Sequence, residues 1–196
     1  MQESKQDRRV KKTKKILKQA LARLLLEKDL KDITVKELTT IADVNRGTFY
    51  LHYKDVYDLY EQLENETLNE FNKIIRKHTE KNPQGIPLLA VLDAVEFLNK
   101  NAEICLAILR TNDNDFLSRL IEMNKPVDKN AWQALFGKEY EGYYEYCYSY
   151  ITSGCVGLIR SWFMGGRKEP PKKIALLAEK LMSVSISSDA GKYFTG

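Results

Sequence analysis

Apolar residues recur along this chain mainly at intervals of three and four positions, the spacing that places them on one face of an α-helix. The strict alternation of apolar and polar residues that predicts a β-strand does not appear. From Arg8 to about Lys28, a stripe of apolar residues is flanked by lysines and arginines that project elsewhere. The stripe consists of Ile16, Leu17, Ala20, Leu21, Leu24 and Leu25. The pattern predicts an all-α fold that begins with a long amphipathic helix.

Two short helical segments with a tight turn between them follow the first helix. Thr34 and Glu37 match a capping box, in which the Thr34 hydroxyl accepts a hydrogen bond from the Glu37 backbone N–H and the Glu37 carboxylate reaches back. The helix that they begin runs about two turns, and a break at Asp43 ends it. Asn45 can then cap a second short helix. Two short helices around a tight turn, packed on a long helix, are typical of a helix-turn-helix motif.

Residues 46–53 form the predicted second helix of this motif, which enters the major groove of DNA with its N-terminal residues against the base edges. Phe49 and Tyr53 lie four positions apart and should pack inward. The inward-facing residues expected around them are Leu38, Ile41, Ala42 and Leu59. The side chains left for the DNA side are Arg46, Thr48, Tyr50 and His52. Gly47 allows the backbone to approach the duplex, at a cost of roughly 1 kcal/mol in helix propensity.

The DNA-binding segment of the TetR family of bacterial transcription regulators closely resembles the run ITVKELTTIADVNRGTFYLHYKDVYDLYEQL, and the resemblance is strong over about residues 10–63. It implies that Arg46, Gly47 and Thr48 lie at base edges. It implies that four further residues lie at phosphates, and these are Thr34, Tyr50, His52 and Lys54. Together with the capping Asn45, these residues form the predicted DNA-binding set.

Two positions depart from the family pattern. Asp43 replaces the glycine that the family usually has in the turn, and Asp tolerates the left-handed backbone conformation better than most residues. We therefore expect the turn to survive. Val56 stands where the family often has a lysine that contacts a phosphate, so that contact is not expected here.

The rest of the chain predicts a helical body. A long amphipathic helix starts after Lys54-Asp55, and its buried side carries Val56, Leu59, Leu63, Phe71, Ile74 and Ile75. Further helices are predicted over residues 88–98, 102–110, 116–123, 140–163 and 174–182, with Pro126 interrupting the pattern after the third. We accordingly divide the chain into a helix-turn-helix DNA-binding domain over residues 1–54 and a C-terminal helical regulatory and dimerisation domain over residues 55–196.

The helix predicted over residues 140–163 carries two stripes. The bulky stripe consists of Tyr144, Cys147, Ile151, Cys155, Leu158 and Trp162, and the second, mostly small stripe consists of Tyr150, Gly154, Gly157 and Ser161. Because small residues let two helix backbones approach closely, we predict that the second stripe meets its copy across a two-fold axis in a homodimer. The alternative is that it packs against another helix of the same chain. Six tyrosines between residues 140 and 150 are interpreted as core and interface residues, the alternative being the wall of a ligand cavity.

Positive charge is concentrated near the N-terminus. The first 54 residues hold 14 Lys/Arg and 7 Asp/Glu, whereas the remainder holds 17 and 20, for a net charge of +4 in 196 residues. This distribution favours a polyanionic partner such as double-stranded DNA, the alternative being a solvated helix face. No apolar run approaches the roughly 18 residues that a bilayer span needs, and none follows the basic N-terminus as in a secretory signal. We expect a cytoplasmic protein without a membrane partner.

The chain offers no spacing that suggests catalysis, a metal site or a cofactor. Its two histidines and three cysteines lack metal-ligand spacing, and there is no P-loop or dinucleotide fingerprint. We therefore predict a transcription regulator and not an enzyme: a repressor that binds a near-palindromic operator as a homodimer and is modulated through its C-terminal domain. The modulator is either a small-molecule effector or a protein partner. The alternative function is a co-activator, or a regulator that acts mainly through a protein partner rather than a small-molecule ligand.

Overall fold

The structure is a computed structural model that describes residues 5–79, 88–111 and 129–186, together with residues 116, 119, 122, 123 and 125. Nine α-helices are delimited within those residues, and no β-strand occurs among them. They are α1 (Lys5–Glu27), α2 (Val35–Ile41), α3 (Arg46–Tyr50), α4 (Val56–Thr79), α5 (Leu88–Lys100), α6 (Ala102–Thr111), α7 (Lys129–Phe136), α8 (Tyr144–Met164) and α9 (Pro171–Ile186). The predicted all-α fold is confirmed.

The helices of the N-terminal region follow the sequence signals closely. α1 begins at Lys5, about one turn before the predicted start at Arg8. α3 ends at Tyr50, whereas a helix up to Tyr53 was expected from the sequence. The backbone turns after Tyr50, and the Tyr53 N–H and the His52 N–H both donate to the Phe49 carbonyl, at 3.0 and 2.9 Å. This turn ends the helix early but still points Tyr53 inward.

Further along the chain, one helix is present that the apolar pattern does not predict. α7 covers only eight residues, and its large apolar residues are Trp132, Leu135 and Phe136. Residues 116, 119, 122 and 123 are helical, in agreement with the helix predicted over residues 116–123. Pro126, expected to interrupt that pattern, lies outside the described residues.

Contacts between Cα atoms divide the chain into two compact units, and the first takes in the described residues of Met1–Asn69 and Asn101–Phe116. Its core is built on α1, which packs against α2 and α6. The buried leucines of α1 are Leu17, Leu21, Leu24 and Leu25. Arg110 of α6 donates a hydrogen bond to the Leu26 carbonyl, one of the acceptors that the last turn of a helix leaves without an intrahelical partner. α6 therefore stabilises both the apolar face and the C-terminal end of α1.

The second unit takes in the described residues of Glu70–Lys100 and Leu117–Gly196. In this unit α9 packs against α5 and α8. The Arg167 guanidinium, in the turn between α8 and α9, donates to the Asn99 side chain at 2.9 Å. An aromatic cluster joins α7 to α8, and it consists of Trp132, Phe136, Tyr140 and Tyr148, with Tyr144 packed against it. The Trp132 and Phe136 rings of α7 therefore pack against the bulky stripe of α8.

These packing units differ from the functional division predicted at residue 54. α4 contributes its residues up to Asn69 to the first unit and its remaining residues to the second. α6 belongs to the first unit because it covers α1, although it follows α4 and α5 in the sequence. The boundary between residues 54 and 55 stays a prediction about function rather than packing.

Candidate nucleic-acid interface

The turn between α2 and α3 depends on an aspartate in a left-handed conformation. Asp43 has φ 51°, a region that non-glycine residues adopt infrequently and in which Asp and Asn are enriched. The Asp43 N–H donates to the Thr40 carbonyl at 3.2 Å, and the Val44 N–H donates to the Thr39 carbonyl at 3.0 Å. Asp43 therefore adopts the left-handed conformation for which related turns use glycine.

At the start of α2, only half of the predicted capping box is present. The Thr34 Oγ1 accepts a hydrogen bond from the Glu37 N–H at 3.2 Å, as predicted. The expectation that the Glu37 carboxylate reaches back to the cap is wrong. Its two oxygens lie 2.5 and 2.6 Å from Lys28 Nζ instead. A charged ammonium is a stronger partner than a neutral backbone N–H, so the carboxylate ties α2 to the end of α1.

At the start of α3, Asn45 and Gly47 act together. The Asn45 Oδ1 accepts a hydrogen bond from the Gly47 N–H at 2.7 Å, which confirms Asn45 as the cap. A Cβ atom added to Gly47 would lie 3.2 Å from that same oxygen, closer than ordinary van der Waals contact. Gly47 thus has a structural reason to be glycine, in addition to the close approach to DNA that the sequence suggests.

One side of α3 is anchored in the core of the first unit. Phe49 is fully buried and Tyr53 is 2% exposed, with ring centroids 5.6 Å apart. Lys14 of α1 places its ammonium 5.7 Å from the centre of the Tyr53 ring. Burial, and then the nearby carboxylates Glu66 and Asp58, raise the pKa of the Tyr53 hydroxyl above its usual value. Tyr53 is therefore a neutral packing residue that connects the end of α3 to α1.

The inward-facing set predicted around these rings is confirmed except at one position. The residues that are buried as expected are Leu38, Ala42 and Leu59. Ile41 is 47% exposed, so its predicted inward orientation is wrong. The buried residues of α2 are Leu38 and Thr39, and the C-capping Ala42 lies one turn after Leu38 on the same face. Ile41 lies to one side of that face.

The residues predicted to bind DNA remain accessible in the structure. Those that are exposed are Thr34, Asn45, Arg46, Gly47, Tyr50 and Lys54, and those that are half-buried are Thr48 and His52. Seven of the eight, Asn45 to Lys54, lie within ten consecutive residues, on or next to α3, and Thr34 caps the neighbouring helix. The structure thus gathers the predicted set around one short helix, while contact with DNA itself stays a prediction.

A reciprocal pair of hydrogen bonds fixes the chain just after α3. The Asp55 Oδ1 accepts from the Asp58 N–H, and the Asp58 Oδ2 accepts from the Lys54 N–H, each at 2.8 Å. The hydrogen bond from Lys54 is the main reason that the pKa of Asp58 lies below its usual value, and a second one from the Gln62 amide adds to it. Val56, which stands where the family often has a lysine, is buried.

Leu51 is absent from the contact residues predicted from the sequence, although it is the most exposed large apolar residue described, at 79%. It follows α3 directly and keeps a helical backbone, with φ −70° and ψ −18°. The signal that could reveal it is helical periodicity, because Leu51 is two positions from the anchoring Phe49 and so projects from the opposite side.

The small stripe predicted as a dimer interface faces outward on α8. Cβ atoms placed at Gly154 and Gly157 would meet nothing within 4 Å. Tyr150 and Ser161 are also exposed. Among the described residues, therefore, no other helix of the same chain covers these glycines. An adjoining groove of about 430 Å³ lies between α8 and α9, and its lining includes Tyr150, Gly154, Cys155, Leu158, Leu181 and Met182.

The six tyrosines before and within α8 fall into two groups. Tyr140 and Tyr148 are buried in the aromatic cluster, and Tyr144 stacks on the Trp132 ring at 5.9 Å between centroids. The other three are exposed, and they are Tyr143, Tyr146 and Tyr150. The buried group belongs to the core of the second unit, and the exposed group extends the small stripe toward the start of α8.

The described part of the chain contains no group of three or more His, Cys, Asp and Glu side chains that could hold a metal ion. The cysteines Cys105, Cys147 and Cys155 are thiols without disulfide partners. Burial raises the pKa of Cys105 to about 12, which makes it a poor nucleophile. Within the described residues, no helix is both long enough and apolar enough to cross a membrane.

Comparisons with known proteins agree with the helix-turn-helix geometry. A family model described as "Transcriptional regulator C-terminal region", of the TetR type, matches residues 87–184. A curated relative from Bacillus subtilis (strain 168), the uncharacterized HTH-type transcriptional regulator YxbF, is 40% identical over 47 residues. That match covers 24% of this chain and only 12% of the relative.

Three solved structures share the fold at low sequence identity. NalD, the secondary repressor of the MexAB-OprM multidrug efflux pump in Pseudomonas aeruginosa, is 18% identical with a TM-score of 0.64, covering 91% of this chain and 98% of its own. The dihydroxyacetone kinase operon activator DhaS is 17% identical with a TM-score of 0.59, covering 89% and 96%. A TetR/AcrR-type transcriptional regulator from Aquifex aeolicus VF5 is 17% identical with a TM-score of 0.57, covering 88% and 98%. Since the family model matches half of its length, the chain belongs to the TetR family of transcriptional regulators, which bind DNA.

Proposed function

We propose that this protein is a transcriptional repressor that binds a near-palindromic operator as a homodimer and is modulated through its C-terminal domain. The observation that carries the proposal is the division of α3 into an anchored side and an exposed side. Phe49 is buried, while Arg46, Gly47 and Tyr50 are exposed. A short helix held in this way can enter a major groove without rearranging its own core.

The roles proposed for the individual residues follow their chemistry. Arg46 presents a guanidinium fork that can donate two hydrogen bonds to a guanine edge, and Thr48 can reach a neighbouring base. The Thr34, Tyr50 and His52 side chains and the Lys54 ammonium supply donors for phosphate oxygens. Positive residues exposed on the first turns of α1 add attraction for the duplex, and they include Arg8, Arg9, Lys12 and Lys15.

The homodimer is proposed from the uncovered face of α8. Two glycines one turn apart, Gly154 and Gly157, leave room for a second helix backbone. Exposed leucines of α9 could complete a four-helix interface, and these are Leu176, Leu177 and Leu181. A two-fold axis makes the same patch serve both subunits, and it places two α3 helices on the two half-sites of a palindrome.

Regulation is proposed to act through the second unit. An effector that prefers one arrangement of the dimer needs a coupling free energy of only about 1–3 kcal/mol to change operator affinity five- to 150-fold. The groove between α8 and α9 and the exposed tyrosines are sites for a small molecule or a protein partner. Repression is the commonest mode in the family, and NalD, which shares the fold, is described as a repressor.

The test uses cells that carry the gene, in three versions: intact, deleted, and replaced by Arg46→Ala. Chromatin immunoprecipitation should locate the intact protein at promoters, and the Arg46→Ala protein should be lost from them. Transcripts from the occupied promoters should rise in the deletion strain. Transcripts that fall in that strain would identify an activator, and promoters occupied equally by both proteins would refute the role of α3.

The co-activator alternative is supported by one observation. Tyr143, Tyr146 and Tyr150 form an exposed aromatic row, a surface composition that is enriched at protein interfaces. DhaS, described as an operon activator, also shares the fold. The two functions differ in the affinity of the purified chain for its promoter DNA. Tight binding by the chain alone supports the repressor, whereas binding that appears only when a captured partner protein is added supports the co-activator.

A further inference from the structure

A leucine directly follows α3 and projects from its outward side. An α-helix advances by about 100° per residue, so Leu51 projects roughly 160° away from Phe49. Phe49 is fully buried and Leu51 is 79% exposed, as this geometry requires. The side of α3 that is turned furthest from the protein core therefore ends in an apolar side chain.

The neighbours of Leu51 are residues proposed to contact the bases and phosphates of DNA. The Leu51 N–H donates to the Gly47 carbonyl at 3.2 Å, so Leu51 lies one helical turn after Gly47 on the same side. Gly47 has no side chain that could hold a duplex away from Leu51. Arg46 and Tyr50 are exposed beside it. A single exposed leucine is ordinary on a protein surface, but this one occupies the position that a groove-bound duplex would cover.

We propose that Leu51 contacts the 5-methyl group of a thymine in each operator half-site and so contributes to sequence specificity. The inference rests on the proposed DNA-binding function. Thymine presents a methyl group in the major groove that no other standard base has. The leucine side chain cannot exchange hydrogen bonds with a base edge, so an apolar contact is the only favourable one open to it. Burying one such methyl group corresponds to about fourfold in affinity.

The experiment starts from an operator selected out of random duplexes by the intact protein. Each thymine of the half-sites is then replaced, one symmetric pair at a time, by deoxyuridine, which lacks only the 5-methyl group. Affinities are measured for the intact protein, for Leu51→Ala and for Leu89→Ala. Leu89 is the matched control, because it is also a largely exposed leucine but lies in α5.

We expect one symmetric pair of replacements to weaken binding of the intact protein and of Leu89→Ala by about fourfold per half-site. Leu51→Ala should bind the thymine and deoxyuridine operators equally well. The inference is overturned if no replacement weakens the intact protein, if Leu51→Ala keeps the same sensitivity, or if the selected half-sites contain no thymine. A protein that selects no sequence at all refutes the proposed DNA-binding function instead, so the two failures are distinguishable.

Discussion

At the scale of single residues, the contacts that hold α3 in place are separate from the side chains that it exposes. Asn45 caps the helix through the Gly47 N–H, and Phe49 anchors it in the core. Arg46 and Tyr50 are exposed. Because exposed residues away from such anchors change stability little, contact residues can be replaced with the fold intact. Loss of DNA binding in these variants then reports on recognition rather than unfolding.

Arg46→Ala should weaken operator binding by about 1–3 kcal/mol and remove the sequence preference at one position of each half-site. The physical reason is the loss of a two-pronged donor to a guanine edge. Competition binding against a panel of single-base operator variants measures both effects. Arg46→Lys is the control, since it keeps the charge but not the planar fork. An equal loss on operator and on random DNA would instead make Arg46 a phosphate contact.

Asp58→Asn should make the free energy of unfolding depend less on pH in the acid range. The pKa of Asp58 is lowered in the folded protein, chiefly by the hydrogen bond from the Lys54 N–H. A lowered folded pKa gives stability that is present above the ordinary pKa of about 3.9 and is lost as the pH falls through the folded value. Urea unfolding of both proteins between neutral pH and pH 3 measures this. The stability difference between them should shrink below about pH 4, and a constant difference would contradict the account.

Most of the candidate site could be predicted from local sequence, because its determinants are local. The Thr34 and Asn45 caps and the left-handed Asp43 act within three residues of themselves. The two errors have non-local causes. The Glu37 carboxylate pairs with Lys28, which follows the end of α1, and tertiary packing buries Leu38 and Thr39 of α2 rather than Ile41. Capping patterns and apolar periodicity do not indicate the partner of the Glu37 carboxylate, nor which residues of α2 are buried.

At the scale of elements, α1 is both the packing core of the first unit and its most basic surface. Its first three turns carry seven positive residues: Lys5, Arg8, Arg9, Lys11, Lys12, Lys14 and Lys15. Cations at a helix N-terminus oppose the helix dipole, and Asp7 is the acidic residue of the first turn. The Lys14 ammonium is used at the Tyr53 ring. We infer that the exposed charges of Arg8, Arg9, Lys12 and Lys15 act on a polyanion rather than on the stability of α1.

Deletion of residues 1–9 removes Lys5, Arg8 and Arg9 from each subunit. If these side chains lie at phosphates, the slope of log affinity against log salt should become shallower by several units, at about 0.9 for each lost contact. Sequence preference should stay nearly intact. A salt titration of operator binding measures the slope, with an Arg8→Gln/Arg9→Gln variant of the full chain as the control for removing backbone. Parallel titration lines would assign these charges to solvent.

Gly157→Leu should prevent dimerisation while the monomer still folds. No described residue lies within 4 Å of a Cβ atom at this position, and leucine has a higher helix propensity than glycine, so the monomer should be at least as stable to heat. Two leucines cannot occupy a close helix crossing, so sedimentation should show monomers at micromolar concentration and operator affinity should fall sharply. Gly157→Ala is the control, because alanine still allows close approach. An unchanged dimer would move the interface to another surface.

The elements that the sequence predicts and the one that it misses differ in where their stability comes from. α1 and α4 carry long apolar stripes of their own. α7 has eight residues, and its two aromatic side chains, Trp132 and Phe136, are buried against Tyr140, Tyr144 and Tyr148. A helix of this length is marginal in isolation. It forms through tertiary packing that local periodicity does not reveal.

At the scale of the whole molecule, each packing unit is built from two separate segments of the sequence. α6 joins the N-terminal helices, and α4 contributes to both units. Neither feature could be predicted from the chain, since both depend on contacts between segments far apart in sequence.

The central claim is that two copies of this chain read an inverted repeat through α3. The most direct measurement is selection from random duplexes by the purified full chain, followed by the mass of the complex on the selected site. The account predicts an inverted repeat with half-site centres about 10 base pairs apart, or a multiple of that, bound by two chains. Arg46→Ala should lose the enrichment. An asymmetric site bound by one chain, or no enriched sequence at all, would contradict the account.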